Sequence, residues 1–130
     1  MNSFDKTILQ AIQKIKDDIL KTRTAVFQNA NSELLSMYFR IGKIISKNTN
    51  YGNRFVESLS KGIKAEFKDL KGFSERNLFR MKRFYEVYKD FSILPPPVAK
   101  LPWSHNNILI EKEKDFDKRL WYAEKAIENG

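Results

Sequence analysis

The chain has no cysteine, one histidine, four prolines and five glycines in 130 residues. Without cysteine there is no disulfide and no thiolate metal site, and nothing argues for an oxidising compartment. The single histidine, His105, cannot build a structural zinc site by itself. It has no evident nucleophile either: Ser104 reads as the cap of a short helix, and His105 close to Trp103 reads as a structural residue. The glycines at 42, 52, 62 and 72 are isolated, so no Gly-rich phosphate loop is present. No apolar run approaches the ~20 residues of a membrane span. The start, Met1-Asn2-Ser3-Phe4-Asp5-Lys6, lacks the charged and apolar regions of a signal peptide. A cytoplasmic chain with no membrane partner is the expectation.

Acidic residues are outnumbered, 16 against 24 lysines and arginines. Glu66-Phe67-Lys68 and Asp69-Leu70-Lys71 match the short acidic-x-Lys pattern of Mg²⁺ nucleases, but at a helix end and turn, with no strand pair and no upstream acid. No catalytic residue, metal ligand or cofactor is therefore expected, and the chain reads as a non-enzyme.

With 42% apolar and 13% aromatic residues, the chain can build a core, and its length suits one domain, residues 1–130. The net charge is +8. Residues 61–90 hold +4 of it, residues 1–30 and 31–60 hold +2 each, and residues 91–130 are balanced. An excess concentrated in one segment favours a polyanionic partner with a local footprint.

The periodicity is helical throughout and predicts an all-α fold with a long N-terminal helix over residues 5–48. Ile8, Ile12, Ile15 and Ile19 form one stripe, which Thr22 and Thr24 weaken. It resumes through Val26, Ala30, Leu34, Met37 or Tyr38, Ile41 and Ile45. Asn29 and Asn31 mark either a kink or polar positions within one helix. The stripe of residues 30–48 is expected to pack within the chain. The narrow stripe of residues 5–28, ringed by charge, is expected to meet a second copy in a homodimer.

A turn at residues 48–53 precedes a helix over 54–67, with Phe55 or Val56, Leu59, Ile63 and Phe67 on its apolar face. Gly62 inside it points to close packing. Lys71-Gly72-Phe73 leads into the stretch on which the chain is organised, a helix over residues 74–90 capped by Ser74. Leu78, Met81, Tyr85 and Tyr88 share one face of it, and Arg76, Arg80 and Arg83 share another. Two helices joined by a short glycine-containing turn make a helix-turn-helix-like pair. Pro95 to Pro97 end the pattern and read as an extended spacer. A short helix follows Ser104, with a strand through Ile108 and Ile110 as the alternative. A last helix over 116–128 places Phe116, Leu120, Ala123 and Ile127 on its core face, and Gly130 stands where a helix-ending glycine belongs.

Several stretches in order then resemble a known family. They are Tyr38-Phe39-Arg40-Ile41-Gly42-Lys43-Ile44-Ile45, Tyr51-Gly52, Lys71-Gly72-Phe73-Ser74-Glu75-Arg76-Asn77-Leu78, Phe84-Tyr85, Leu101-Pro102-Trp103-Ser104-His105 and the run from Arg119 to Gly130. From about residue 25 onward the chain resembles the N-terminal domain of YhcG-type bacterial proteins, whose C-terminal half resembles a PDDEXK nuclease. Phe39 stands where that pattern has tryptophan. The resemblance implies a helical module that delivers a nuclease to DNA. It carries no nuclease residue onto this chain.

The reading is a DNA-binding or DNA-targeting module. Lys71 and the N-terminus at Ser74 would meet phosphate, Arg76 and Asn77 base edges, and Arg80, Lys82 and Arg83 further phosphates. The alternative is a protein-interaction or dimerisation module, resting on the long first helix and the proline-bounded segment from Pro95 to Pro102, with Trp103 and Trp121 as core or interface anchors. RNA fits the charge too, but nothing resembles an aromatic base-stacking sheet.

Overall fold

The computed structural model describes the backbone of residues 2–91 and 94–129, and their side chains outside residues 24–29. The readings at Ile93 and Gly130, and at the side chains of Thr24, Val26 and Asn29, lie outside the described residues. Among those described, every regular element is helical: α1 (Ser3–Ser46), a 3₁₀ turn (Thr49–Tyr51), α2 (Asn53–Glu66), α3 (Glu75–Tyr88), α4 (Pro96–Lys100), α5 (Trp103–Lys112) and α6 (Phe116–Glu128). The protein is all-α.

The long N-terminal helix is present, and it doubles back. Arg40 Nε and Nη2 donate to Asp18 Oδ2 and Oδ1 at 2.8 and 2.7 Å. The Phe4 and Tyr51 rings lie 5.2 Å apart, and Thr7 and Tyr51 share a hydrogen bond at 3.2 Å. Along a straight helix, Asp18 and Arg40 would be about 33 Å apart. The two arms of α1 therefore run antiparallel, with the reversal between Thr22 and Asn31. This favours the kink over the uninterrupted helix. Asn31 Nδ2 then donates to Ala99 O and Leu101 O, both at 2.9 Å, and ties the reversal to the end of α4.

The antiparallel arrangement changes what the first stripe does. Ile8, Ala11, Ile15 and Ile19 are buried in the chain's own core with Leu35, Tyr38, Ile41 and Ile45 of the second arm. The stripe expected to meet a second copy is filled from within. Leu9 and Leu20, about half exposed, are what the first arm leaves outside.

The other helices close over this hairpin. On α2, Leu59 and Ile63 are buried as the periodicity predicts, with both Phe55 and Val56; Phe67 is half-buried at the cap just past the helix, and a Cβ at Gly62 would run into the tip of Ile12. On α3, Leu78, Met81, Phe84 and Tyr88 form the buried face, with Tyr85 half-buried beside it. Helix α3 packs chiefly on α1. At their crossing a Cβ on Gly42 would overlap Met81 O and lie 2.7 Å from Met81 C, so only glycine lets the two backbones approach this closely. Phe39 packs its ring 5.1 Å from Tyr85, on the same seam.

Four local expectations are corrected. Pro95 to Pro97 are not an extended spacer: Pro95 caps α4, and Pro96 and Pro97 occupy its first turn, where a missing N–H costs nothing. Ser104 does not cap α5, which starts at Trp103 after Pro102. Ile108 and Ile110 are helical, so the strand alternative falls. Helix α6 is capped by Asp115, whose Oδ2 accepts from Lys118 N at 2.9 Å. Ala123 is buried as expected, but Ile127, Trp121 and Tyr122 are exposed.

A buried cation completes the core. Arg119 is 6% exposed, and its Nη1 donates to Glu113 O and Lys114 O at 2.9 and 3.1 Å. Its guanidinium lies 5.6 Å from the Tyr88 ring centre. Burial pushes the Tyr88 hydroxyl above its ordinary value, opposed by Arg119.

Candidate nucleic-acid interface

Helices α2 and α3 are joined by residues 67–74, a connection longer than the about three to four residues of a tight helix-turn-helix. It is nonetheless well tied down. Gly72 adopts φ +100°, Phe73 is buried, and Ser60 Oγ of α2 donates to Phe73 O at 2.7 Å. Ser74 caps α3 as predicted, its Oγ accepting from Asn77 N at 3.1 Å.

Asn77 sits one turn inside. Its Nδ2 donates to Gly72 O at 2.6 Å, and its Oδ1 accepts the Trp103 indole N–H at 2.8 Å. Both ends of the amide are engaged, so Asn77 holds the turn to α5 and has no edge left for an adenine. Trp103 itself is half-buried between Tyr38, 4.7 Å away, and Phe84, 5.2 Å away.

The cations divide by environment. Arg76 is exposed and Arg80 half-exposed, and among the described residues neither has a carboxylate within 4.0 Å. Arg83 is held by α5: its Nη1 is 3.4 Å from Glu111 Oε1, and its Nη2 donates to Asn107 Oδ1 at 3.3 Å. Lys82 lies 4.0 Å from Glu86. Lys71 is exposed on the turn. Two open grooves meet at Glu75 and Arg76. One runs along α3 to α5, lined by Phe79, Arg80, Arg83 and Glu111. The other crosses to α2 and is lined by Glu57, Ser60, Lys61, Lys64 and Ser74. Lys61 is paired with Glu57 at 3.1 Å, an exposed pair that contributes little.

Periodicity showed the arginine face but missed the lysines of α2, which only the packing of α2 on α3 brings alongside. It missed Arg119, Asn106 and Asn107 as well. Asn106 is buried and donates through Nδ2 to Val98 O and Leu101 O at 3.0 and 3.2 Å. Nothing local distinguishes a buried asparagine from an exposed one in a polar run. His105 is exposed, and no cluster of metal-binding side chains occurs among the described residues. No described helix is long and apolar enough to cross a membrane.

Fold and surface together define an all-helical module with an open, cationic face. The chain belongs to the DUF1016 N-terminal domain family, whose model matches residues 14–130. The resemblance to the N-terminal domain of YhcG-type proteins therefore stands on nearly the whole chain. Comparison with curated proteins and with solved structures returned no match.

Proposed function

We propose that this domain is a cytoplasmic DNA-targeting module that binds rather than catalyses. Its contact surface would be the outer face of α3 with the adjoining face of α2, a helix-turn-helix-like pair with a lengthened turn. The observation that carries the reading is the placement of Arg76 and Arg80, with no carboxylate within 4.0 Å among the described residues, on two grooves that share Glu75 and Arg76. Lys64 and Lys71 extend that surface, Lys82 and Arg83 supply its edge, and Ser74 presents the free N–H groups of the first turn. Arg76 is the remaining candidate for a base edge, Asn77 being engaged inside.

The test is fluorescence anisotropy of labelled duplex DNA across a salt series. An Arg76→Ala/Arg80→Ala/Arg83→Ala variant is measured alongside, with its fold checked by circular dichroism. The variant should lose about one unit of salt slope per phosphate-contacting cation removed. Equal binding by a folded variant sinks the α3 reading.

A second reading is an interaction module. Trp121 and Tyr122 stand exposed on α6, and Leu9 and Leu20 on the first arm of α1. A homodimer would use the latter side, since the isoleucine stripe is occupied within the chain. Sedimentation of the wild type against Leu9→Lys/Leu20→Lys tests it, with monomerisation expected if that side carries the contact.

A further inference from the structure

We infer that the groove between the two arms of α1 is a second phosphate-binding surface, which engages the backbone of a nucleic-acid duplex independently of α3. Its walls come from both arms. Lys14 and Lys21 stand on the first, Lys43 and Lys47 on the second, with Ile44 as an apolar floor. All four lysines are exposed, and among the described residues none has a carboxylate within 4.0 Å. Of the two acids of the groove, Asp18 is offset by Arg40, and exposed Asp17 keeps its charge against the four lysines. Asp18 takes both hydrogen bonds of Arg40, and Asp17 accepts from Gln13 Nε2 at 2.9 Å. The hydrogen bond to Asp18 holds the Arg40 guanidinium above its ordinary value, with burial opposing it.

The spacing suits a linear polyanion. At helical rise, Lys14 and Lys21 lie about 10 Å apart along one arm, and Lys43 and Lys47 about 6 Å apart along the other. A duplex carries about one charge per 1.7 Å of its axis, so one crossing the groove presents several phosphates over that length. Lysine suits the task, being a compact charge on a flexible stem that needs no fixed partner geometry. The groove is open and has no aromatic platform or apolar pocket to read a peptide side chain or an unpaired base. A duplex backbone is therefore the occupant that its chemistry favours.

The test compares four proteins on labelled random-sequence duplex between about 50 and 200 mM salt. They are the wild type, Lys14→Ala/Lys21→Ala/Lys43→Ala/Lys47→Ala, the same four lysines replaced by arginine, and the α3 triple-alanine variant. The groove alanine variant should melt like the wild type and lose about 3.6 units of salt slope, at about 0.9 for each of the four contacts. The arginine variant should keep wild-type binding. Loss in the groove variant with none in the α3 variant supports the groove and removes the α3 reading. Loss only in the α3 variant overturns the groove and leaves the α3 reading standing. The inference is also overturned if the wild type shows no salt-dependent binding, or if the groove variant loses phosphatidylserine vesicles while keeping DNA.

Discussion

The indole N–H of Trp103 donates to Asn77 Oδ1 at 2.8 Å, joining the first turn of α3 to the start of α5. The same amide donates to Gly72 O, so one side chain closes the turn before α3 and fixes the helix behind it. A residue that looks like a base reader in the sequence is a fastener in the fold.

Replacing Asn77 by alanine should therefore cost stability and leave DNA contact to the arginines. Two hydrogen bonds are lost, and the part-buried Gly72 carbonyl and Trp103 indole are left without these partners, about 2 kcal/mol in all. Urea denaturation reads this loss. Anisotropy under conditions where the variant stays folded should show the wild-type salt slope.

Gly42 and Gly62 both lie inside helices, and the same substitution should act differently on them. A methyl at Gly42 meets the backbone of Met81, which cannot yield without moving α3 off α1, so Gly42→Ala should destabilise by about 2–3 kcal/mol. At Gly62 the methyl meets only the flexible end of Ile12, and alanine favours the helix by up to about 1 kcal/mol. Gly62→Ala should therefore change stability by less than about 1 kcal/mol. Parallel denaturation curves with equal slopes decide the comparison.

The doubled-back course of α1 can be measured directly, because the absence of cysteine lets spin labels go only where they are placed. Cysteines at Lys14 and Lys47 would be roughly 50 Å apart on a straight helix. They line the same groove, so a pulsed dipolar measurement should give a much shorter distance. A distribution centred near the straight-helix value would overturn the antiparallel arms.

Alkaline pH should weaken the fold. Burial raises the Tyr38 hydroxyl above its ordinary value of 10.0. The folded state therefore holds that proton more tightly than the unfolded chain. The stability this represents is fully present below about pH 10, and it is lost as pH climbs from the unfolded value through the folded one. Tyr38→Phe keeps the ring on Trp103 and should flatten the fall in melting temperature above about pH 10. An unchanged fall would show that Tyr38 is not its source.

Much of this protein was legible in its residues. The all-α class, the helices near 54–67, 74–90 and 116–128, the Ser74 cap and the arginine face of α3 follow from 3.6-residue periodicity and capping chemistry, which act over a few neighbours. The glycine spacing showed nothing, whereas the environment of Gly42 is where two backbones meet. Tertiary structure alone decided the antiparallel arms of α1 and the inward use of Ile8, Ile15 and Ile19. It also decided the engagement of Asn77 with Trp103, the burial of Arg119 and the meeting of Lys14 and Lys21 with Lys43 and Lys47. The reason is physical: a stripe shows which face of a helix must leave water but not which surface covers it. A polar side chain is assigned to the interior or to a ligand only by partners far away in the chain.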